Sequence, residues 1–177
     1  DGINEHGLAI GLTSIYPLTR KPGFQAGLLL RYLLEKCRDV MEALARLREL
    51  PVAAAMALTL ADPAGDLAVV EAAADRLSVG RPADFGGAFV CATNQFHLPD
   101  MKQLNRPGLD DWSAGERYRT MASALKERGD ACDLAFVQSV LAGRYGFLCQ
   151  YDRDTGRDTV WSVAYDLRDR RLYRCEG

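Results

Sequence analysis

The sequence predicts an α+β fold, in which antiparallel strands and helices form separate groups along the chain. Three observations predict it. Residues 24–50 are amphipathic and helical, residues 52–61 and 67–73 are apolar runs joined by a Pro/Gly turn, and a later helix pair is followed by a final strand pair. Strands joined by short turns pair antiparallel, and helices grouped in sequence cover such sheets as a layer. We therefore expect a single domain over residues 1–177.

Composition excludes several classes of function. The 177 residues are 48% hydrophobic and 26% charged, with a net charge of −2, which is typical of soluble globular proteins. A charge near zero argues against partners such as nucleic acid or an anionic membrane surface. The most apolar run, residues 26–34, contains Arg31 and is too short to span a bilayer.

The cysteine pattern predicts reduced thiols in the cytoplasm. Five cysteines are an odd number, they have no regular spacing, and no CxxC occurs. With only two histidines in the chain, we expect no metal site and no cofactor.

The first elements in chain order are a hairpin and two helices. Residues 1–7 have turn chemistry and residues 8–16 read as the second arm of a hairpin, whose first arm would lie before Asp1. A proline-containing loop at 17–23 follows. The second helix is predicted to begin at an Asp39 N-cap, with Glu42 completing a capping box, and to end before Pro51.

A strand meander comes next and ends in the first candidate site residue. After the strands at 52–61 and 67–73 and a short one at 76–79, the apolar run of residues 90–92 predicts a buried strand. Three polar residues, Thr93-Asn94-Gln95, follow it. The Asn94 amide is suited to donate to an oxygen that becomes negative during a reaction. On the residues alone, a plain strand-end role for Asn94 stays open.

The last third supplies the second candidate. Ser113 and Glu116 form a capping-box pattern that opens a helix to about Arg128, a helix is predicted at 133–141, and strands at 158–166 and 171–175. Arg117 lies one turn into its helix, where a cation opposes the helix dipole at a cost of about 0.3–1 kcal/mol. We interpret it as holding an anion or a developing charge in a pocket, although a solvated surface role stays open.

No residue in the chain qualifies as a well-positioned nucleophile. Cys91 and His97 lie six residues apart, which is about 20 Å in an extended chain. The chain has no G-x-S-x-G elbow, no P-loop and no GxGxxG. The sequence therefore contains candidate charge-stabilising residues, Asn94 and Arg117, but no candidate nucleophile.

Four segments resemble the cysteine N-terminal-nucleophile (Ntn) amidases, which include choloylglycine hydrolases, penicillin V acylases and acyl-CoA:6-aminopenicillanic acid acyltransferases. DGINEHGLAIGL at 1–12 resembles their DG-x-NE-x-GL hairpin, and ATNQF at 92–96 the segment of their oxyanion asparagine. SAGERY at 113–118 resembles the segment of a later active-site arginine. Residues 159–163 and 172–173 resemble the last hairpin. The compact stretch between Asn94 and Arg117 favours the acyltransferase-like branch.

The resemblance implies an αββα sandwich of antiparallel sheets, here incomplete at the N-terminus. It implies an N-terminal cysteine nucleophile, exposed by methionine removal or autoproteolysis, that lies before Asp1. By the same resemblance Asn94 would donate to the oxyanion and Arg117 would stabilise charge. Thr13 stands where the family often has Asn or Tyr, so only its backbone N–H would contribute.

The function expected from this resemblance is hydrolysis or acyl transfer at linear amide C–N bonds through a thioester. The partners would be a small-molecule amide or acyl-thioester substrate and the missing N-terminal segment of the same protein. The 177-residue chain alone is expected to be inactive, and homo-oligomerisation is left open. Two alternatives are kept: a non-catalytic α+β module that binds a small ligand or partner, and a Cys91 thiol enzyme, which requires an exposed cysteine of depressed pKa.

Overall fold

A five-stranded antiparallel sheet is the frame of this computed structural model, which describes residues 1–109, 112–149, 151–152, 154 and 156–176. The strand order is β1-β2-β3-β4-β5, so each strand pairs with its neighbour in sequence. Its strands are β1 Gly2–Ile3, β2 Ala9–Ser14, β3 Met56–Ala61, β4 Leu67–Ala73 and β5 Arg76–Gly80. The helices are α1 Ala26–Lys36, α2 Val40–Glu49, α3 Pro82–Phe85, α4 Ala114–Arg128 and α5 Leu134–Leu141. Two further hairpins are formed by β6 Tyr151–Asp152 with β7 Arg157–Asp158, and by β8 Trp161–Asp166 with β9 Arg171–Glu176.

Alternation along the strands gives the sheet two different faces. On one face, Ile10, Leu58, Leu60 and Val70 pack with α1 and α2 in the main hydrophobic core. We call this the helix-covered face. The opposite face carries the intervening residues, including Ala57, whose cluster is formed mainly by side chains of the long loop that follows α3. We call it the loop-covered face.

The helix pair begins and ends as predicted. The Asp39 side chain accepts a hydrogen bond of 2.8 Å from the Glu42 N–H, which confirms the N-cap. The Glu42 carboxylate accepts from Arg38 N–H, one residue before the cap, so the reciprocal bond of the box is displaced by one position. The helix ends at Glu49, two residues before Pro51.

The second sheet layer is the β8–β9 hairpin, which α5 covers. Val163 and Tyr165 of β8 line a groove together with Ala9 and Thr59 of the first sheet, so the two sheets face each other. Since α5 contacts β8 and the first helix pair covers the far side of the first sheet, the layers follow the order helix, sheet, sheet, helix. The predicted α+β sandwich is thereby confirmed. No helix in the described part of the chain is long and apolar enough to cross a membrane.

Three predicted elements were wrong. Residues 90–92 form no strand and instead line grooves on the loop-covered face with Gly11 and Thr59. An apolar run indicates that residues are buried, but it does not indicate that they hydrogen-bond to a neighbouring strand. A strand, β1, stands at Gly2–Ile3 and pairs Gly2 with Ile10, where the sequence predicts only a turn. Tyr151–Asp152, for which no strand is predicted, forms β6 and pairs with β7.

Candidate active site

Asn94 and Arg117 meet at one point of the fold, although 23 residues separate them in sequence. The Arg117 Nη2 donates to Asn94 Oδ1 at 2.8 Å, and Asn94 Nδ2 donates to the Ser14 carbonyl oxygen at 2.8 Å. Both side chains are half-buried. The second amide hydrogen of Asn94 has no protein partner among the described residues. The catalytic roles of both residues stay predictions.

A left-handed turn before α4 orients Arg117. Trp112 and Ser113 have φ angles of 56° and 53°, a region that residues other than glycine adopt at some cost. The turn brings the Trp112 carbonyl oxygen to 2.8 Å from Arg117 Nε. The predicted Ser113 capping box was wrong, because Ser113 lacks the extended conformation of an N-cap and its side chain makes no cap hydrogen bond.

Thr13 lies beside the pair but shows no bond to either member. Ile15 N–H donates to Ala55 on the β3 side, so strand alternation directs the N–H of Thr13 to that side too. The backbone of Ser14 faces the opposite edge of β2, where Asn94 reaches its carbonyl. Ser14, which the sequence interpretation did not include, is therefore the residue of β2 whose backbone meets the site.

A groove of about 550 Å³ opens next to Thr13, between the two sheet layers. Its walls include Gly11, Cys91, Met121 and Trp161, and Asp1 lies at its margin. A Cβ at Gly11 would lie 2.5 Å from the Thr59 hydroxyl oxygen, so a larger residue there would require the Thr59 side chain to shift. The lining combines apolar side chains with the polar residues Thr13 and Thr59, which suits an extended peptide segment.

Cys91 lacks the exposure and the depressed pKa that the thiol-enzyme alternative requires. The residue is 3% exposed, and burial raises its pKa to about 11 despite a hydrogen bond from Tyr118.

Burial, followed by the Lys102 charge, lowers the pKa of His97 to about 4. The His97 Nε2 contacts the Thr93 hydroxyl oxygen at 2.8 Å and its ring stacks on Tyr118 at 3.6 Å between centroids. His97 is thus a neutral packing residue and not the base of a Cys–His dyad.

Glu71 is the polar residue of this region that sequence reasoning missed. It is 1% exposed on the loop-covered face of β4, and its carboxylate accepts from His97 N–H at 2.6 Å and Leu98 N–H at 3.0 Å. Burial raises its pKa, while the two hydrogen bonds act in the opposite direction. The signal was present in the sequence, since Glu71 is the one charged residue inside the apolar run 67–73.

The described residues include no cluster of three or more His, Cys, Asp or Glu side chains that could hold a metal ion. The groups that meet at the site are an amide, a guanidinium and the backbone carbonyl of Ser14. The amide and the guanidinium stabilise negative charge and do not themselves attack a substrate.

The fold is that of the Ntn hydrolases. It is similar to a penicillin V acylase from Agrobacterium tumefaciens, with a TM-score of 0.63 and 21% identity over 100% of this chain and 62% of that one. It is also similar to a variant of the conjugated bile acid hydrolase from Clostridium perfringens, with a TM-score of 0.65 and 17% identity over 99% of this chain and 69% of that one. The chain thus spans less than two thirds of the length of the penicillin V acylase.

Within this fold, one sequence family matches all 177 residues. The profile of the acyl-coenzyme A:6-aminopenicillanic acid acyl-transferase family covers residues 1–177, and the chain belongs to that family. No curated protein matches the sequence.

Proposed function

We propose that the full-length protein is a hydrolase or acyltransferase that acts on linear amide C–N bonds through a thioester on an N-terminal cysteine. Family membership supports the reaction class. The observation that carries the proposal is the contact of Arg117 with Asn94 at 2.8 Å beside Ser14, which brings two charge-stabilising groups together at one point. The attacking thiol then belongs to a segment that precedes Asp1.

The reaction follows from the acidities of the groups. A free α-amine has a pKa of about 7.7–8.0 and a thiol about 8.5, so the amine of the N-terminal cysteine takes the thiol proton at little cost. The thiolate attacks the amide carbonyl, and the second N–H of Asn94 donates to the resulting oxyanion. The protonated α-amine returns its proton to the leaving amine as the C–N bond breaks. Water or a second amine then attacks the thioester and releases the thiol.

The open edge of β2 supports the position of the upstream segment. Gly2 pairs with Ile10, so antiparallel pairing continued upstream sets Asp1 opposite Gly11 and the residues before it opposite Leu12 to Ser14. These positions lead along the groove toward the Ser14 carbonyl and Asn94. A strand there would deliver its first residue to the Asn94–Arg117 pair.

The test is a comparison of the full-length protein beginning with cysteine, the same protein beginning with serine, and residues 1–177 alone. Penicillin V tests hydrolysis, and an acyl-coenzyme A with 6-aminopenicillanic acid tests transfer. We expect turnover and a mass increase equal to one acyl group only in the first protein. Turnover by residues 1–177 alone, or equal activity of the serine form, would overturn the proposal.

Asn94→Ala tests the oxyanion role. Loss of one such donor costs about 2.7–4 kcal/mol of barrier, so kcat should fall by about 100- to 1000-fold. The matched control is Asn4→Ala, because Asn4 donates to the Leu34 and Cys37 carbonyls at 3.0 and 2.7 Å and holds the hairpin far from the site. It should reduce stability and leave turnover per folded molecule unchanged. An Asn94→Ala enzyme with normal kcat would remove Asn94 from the mechanism.

We also place the protein in a reducing compartment such as the cytoplasm. No disulfide joins any of the five cysteines, all of which lie in the described part of the chain. Titration of the purified, unreduced protein with a thiol reagent in denaturant, which exposes the buried cysteines, should count every cysteine of the chain. A lower count would contradict this placement.

A further inference from the structure

The segment of residues 93–98, here called the Asn94 loop, holds its shape without belonging to a strand or helix. An oxyanion donor needs a fixed position, because its value depends on distances of a few tenths of an ångström. The Asn94 loop gains that order from side chains that bind its backbone. The Asn105 side chain accepts from Phe96 N–H at 2.8 Å and donates to the Phe96 carbonyl oxygen at 3.0 Å.

Glu71 binds the same loop from the sheet. Its two carboxylate oxygens accept hydrogen bonds from the N–H groups of two successive residues, His97 at 2.6 Å and Leu98 at 3.0 Å. Glu71 lies in β4, opposite Ala57 of β3, in the interior of a five-stranded sheet. An ionised carboxylate prefers water, so burying one to 1% exposure costs stability unless hydrogen bonds replace the lost hydration. The two loop N–H groups supply those hydrogen bonds.

The loop in turn contacts the element that carries Arg117. His97 stacks on Tyr118 with ring centroids 3.6 Å apart and planes 13° from parallel. Tyr118 is the residue after Arg117 in α4. Glu71 thus lies at the start of a continuous set of contacts that runs from the sheet through His97 to α4.

We propose that Glu71 is the positioning residue that holds the Asn94 loop on the sheet and so sets the Asn94 amide for the oxyanion. This inference rests on the proposed function for its catalytic part. Glu71 touches neither substrate nor nucleophile, and it acts only through the backbone of His97 and Leu98. Its replacement should affect the transition state rather than substrate binding.

The decisive variant is Glu71→Gln in the full-length protein. Glutamine has one oxygen acceptor, and its NH2 group opposes one of the two loop N–H groups, so one bond is lost in a side chain of nearly equal size. We expect kcat to fall by about 10-fold or more with KM within twofold, and hydrogen exchange in the loop to accelerate by about 10-fold. Asn105→Ala, at a half-buried position, removes both bonds to Phe96 and should act in the same direction.

Val70→Ala is the matched control. Val70 is the neighbour of Glu71 in β4, is fully buried, and packs on the helix-covered face. It should reduce global stability while loop exchange and kcat per folded molecule stay near wild type. Equal changes in Val70→Ala and Glu71→Gln would reduce Glu71 to a general stability residue and overturn the proposal.

The readouts separate this inference from the proposed function. If the wild-type protein turns over an amide but Glu71→Gln keeps its kcat, the positioning role is wrong and the function stands. If the wild-type protein turns over no amide, the proposed function fails, and hydrogen exchange decides by itself whether Glu71 holds the loop. Unchanged exchange in Glu71→Gln overturns the anchor in either case.

Discussion

The two faces of the central sheet are covered by different means. On the helix-covered face, side chains such as Leu58 and Val70 pack against amphipathic helices in one continuous apolar cluster. On the loop-covered face, Phe96, Leu98 and Met101 come from a loop whose backbone is bound by polar side chains, namely those of Glu71 and Asn105.

The two kinds of contact have different physical consequences, one for the stability of the fold and the other for the position of polar groups. Apolar packing is non-directional and scales with buried area, so it holds a fold together without fixing the angle of any one polar group. Hydrogen bonds from buried polar side chains are directional and are costly when one partner is removed. The proposed site lies where the second kind of contact predominates. Variants on the first face should therefore change stability, and variants on the second should change turnover or local order.

The largest expected effect comes from the helix-covered face. Leu58 is fully buried in β3, and Leu58→Ala should cost about 2–5 kcal/mol of unfolding free energy through lost burial and a residual cavity. Denaturant unfolding measures it. Leu28→Ala, at a position that is 64% exposed, should cost little. A large loss of turnover per folded molecule in Leu58→Ala would break the comparison.

The alkylation rate of Cys91 measures how well the loop-covered face excludes solvent and reagent. Because burial raises its pKa to about 11, iodoacetamide at pH 8 should alkylate Cys91 about 100-fold or more slowly than the exposed Cys132. Peptide mass spectrometry in the folded and denatured states measures the ratio. The raised pKa also means that the unfolding free energy should fall as pH rises from 9.0 toward 11, since only the unfolded chain loses the proton there. Rapid labelling of Cys91 in the folded protein would contradict a closed face.

Arg117→Ala should lower kcat/KM by about 10- to 100-fold, because hydrogen bonds to charged groups contribute about 1.5–3 kcal/mol. Steady-state kinetics of the full-length enzyme measure it. The control is Arg119→Ala, on the exposed side of the same helix, which should leave kcat/KM unchanged. Equal losses in both variants would point to helix charge in general rather than to the contact with Asn94.

The smallest effect concerns the turn that orients Arg117. Ser113→Gly should raise the unfolding free energy by up to about 1 kcal/mol, since relief of the left-handed φ of 53° exceeds the entropy cost of glycine. Ser113→Ala should be nearly neutral, whereas Asp39→Ala, which loses a real cap, should cost about 1 kcal/mol. Thermal denaturation distinguishes these cases. A loss of 1 kcal/mol in Ser113→Ala would restore the capping-box interpretation.

Sequence reasoning succeeded where a pattern repeats over several residues. The helix around Val40–Glu49 follows from an apolar period near 3.6 and the Asp39 cap, and β3 and β4 follow from apolar runs around a Pro/Gly turn. Asn94 and Arg117 were both identified before their contact was known, although only the resemblance gave them a common purpose.

By itself, the sequence determined the antiparallel α+β sandwich, the helix pair and the two polar residues of the candidate site. Only the tertiary structure decided that residues 90–92 cross a sheet face, that Ser113 is left-handed, that Ser14 meets Asn94, and that Glu71 binds the loop. The physical reason is the distance along the sequence between the residues that interact. Helix caps and apolar periods act between residues a few positions apart, whereas the Glu71–His97 and Ser14–Asn94 contacts join residues 26 and 80 positions apart and depend on how the layers pack.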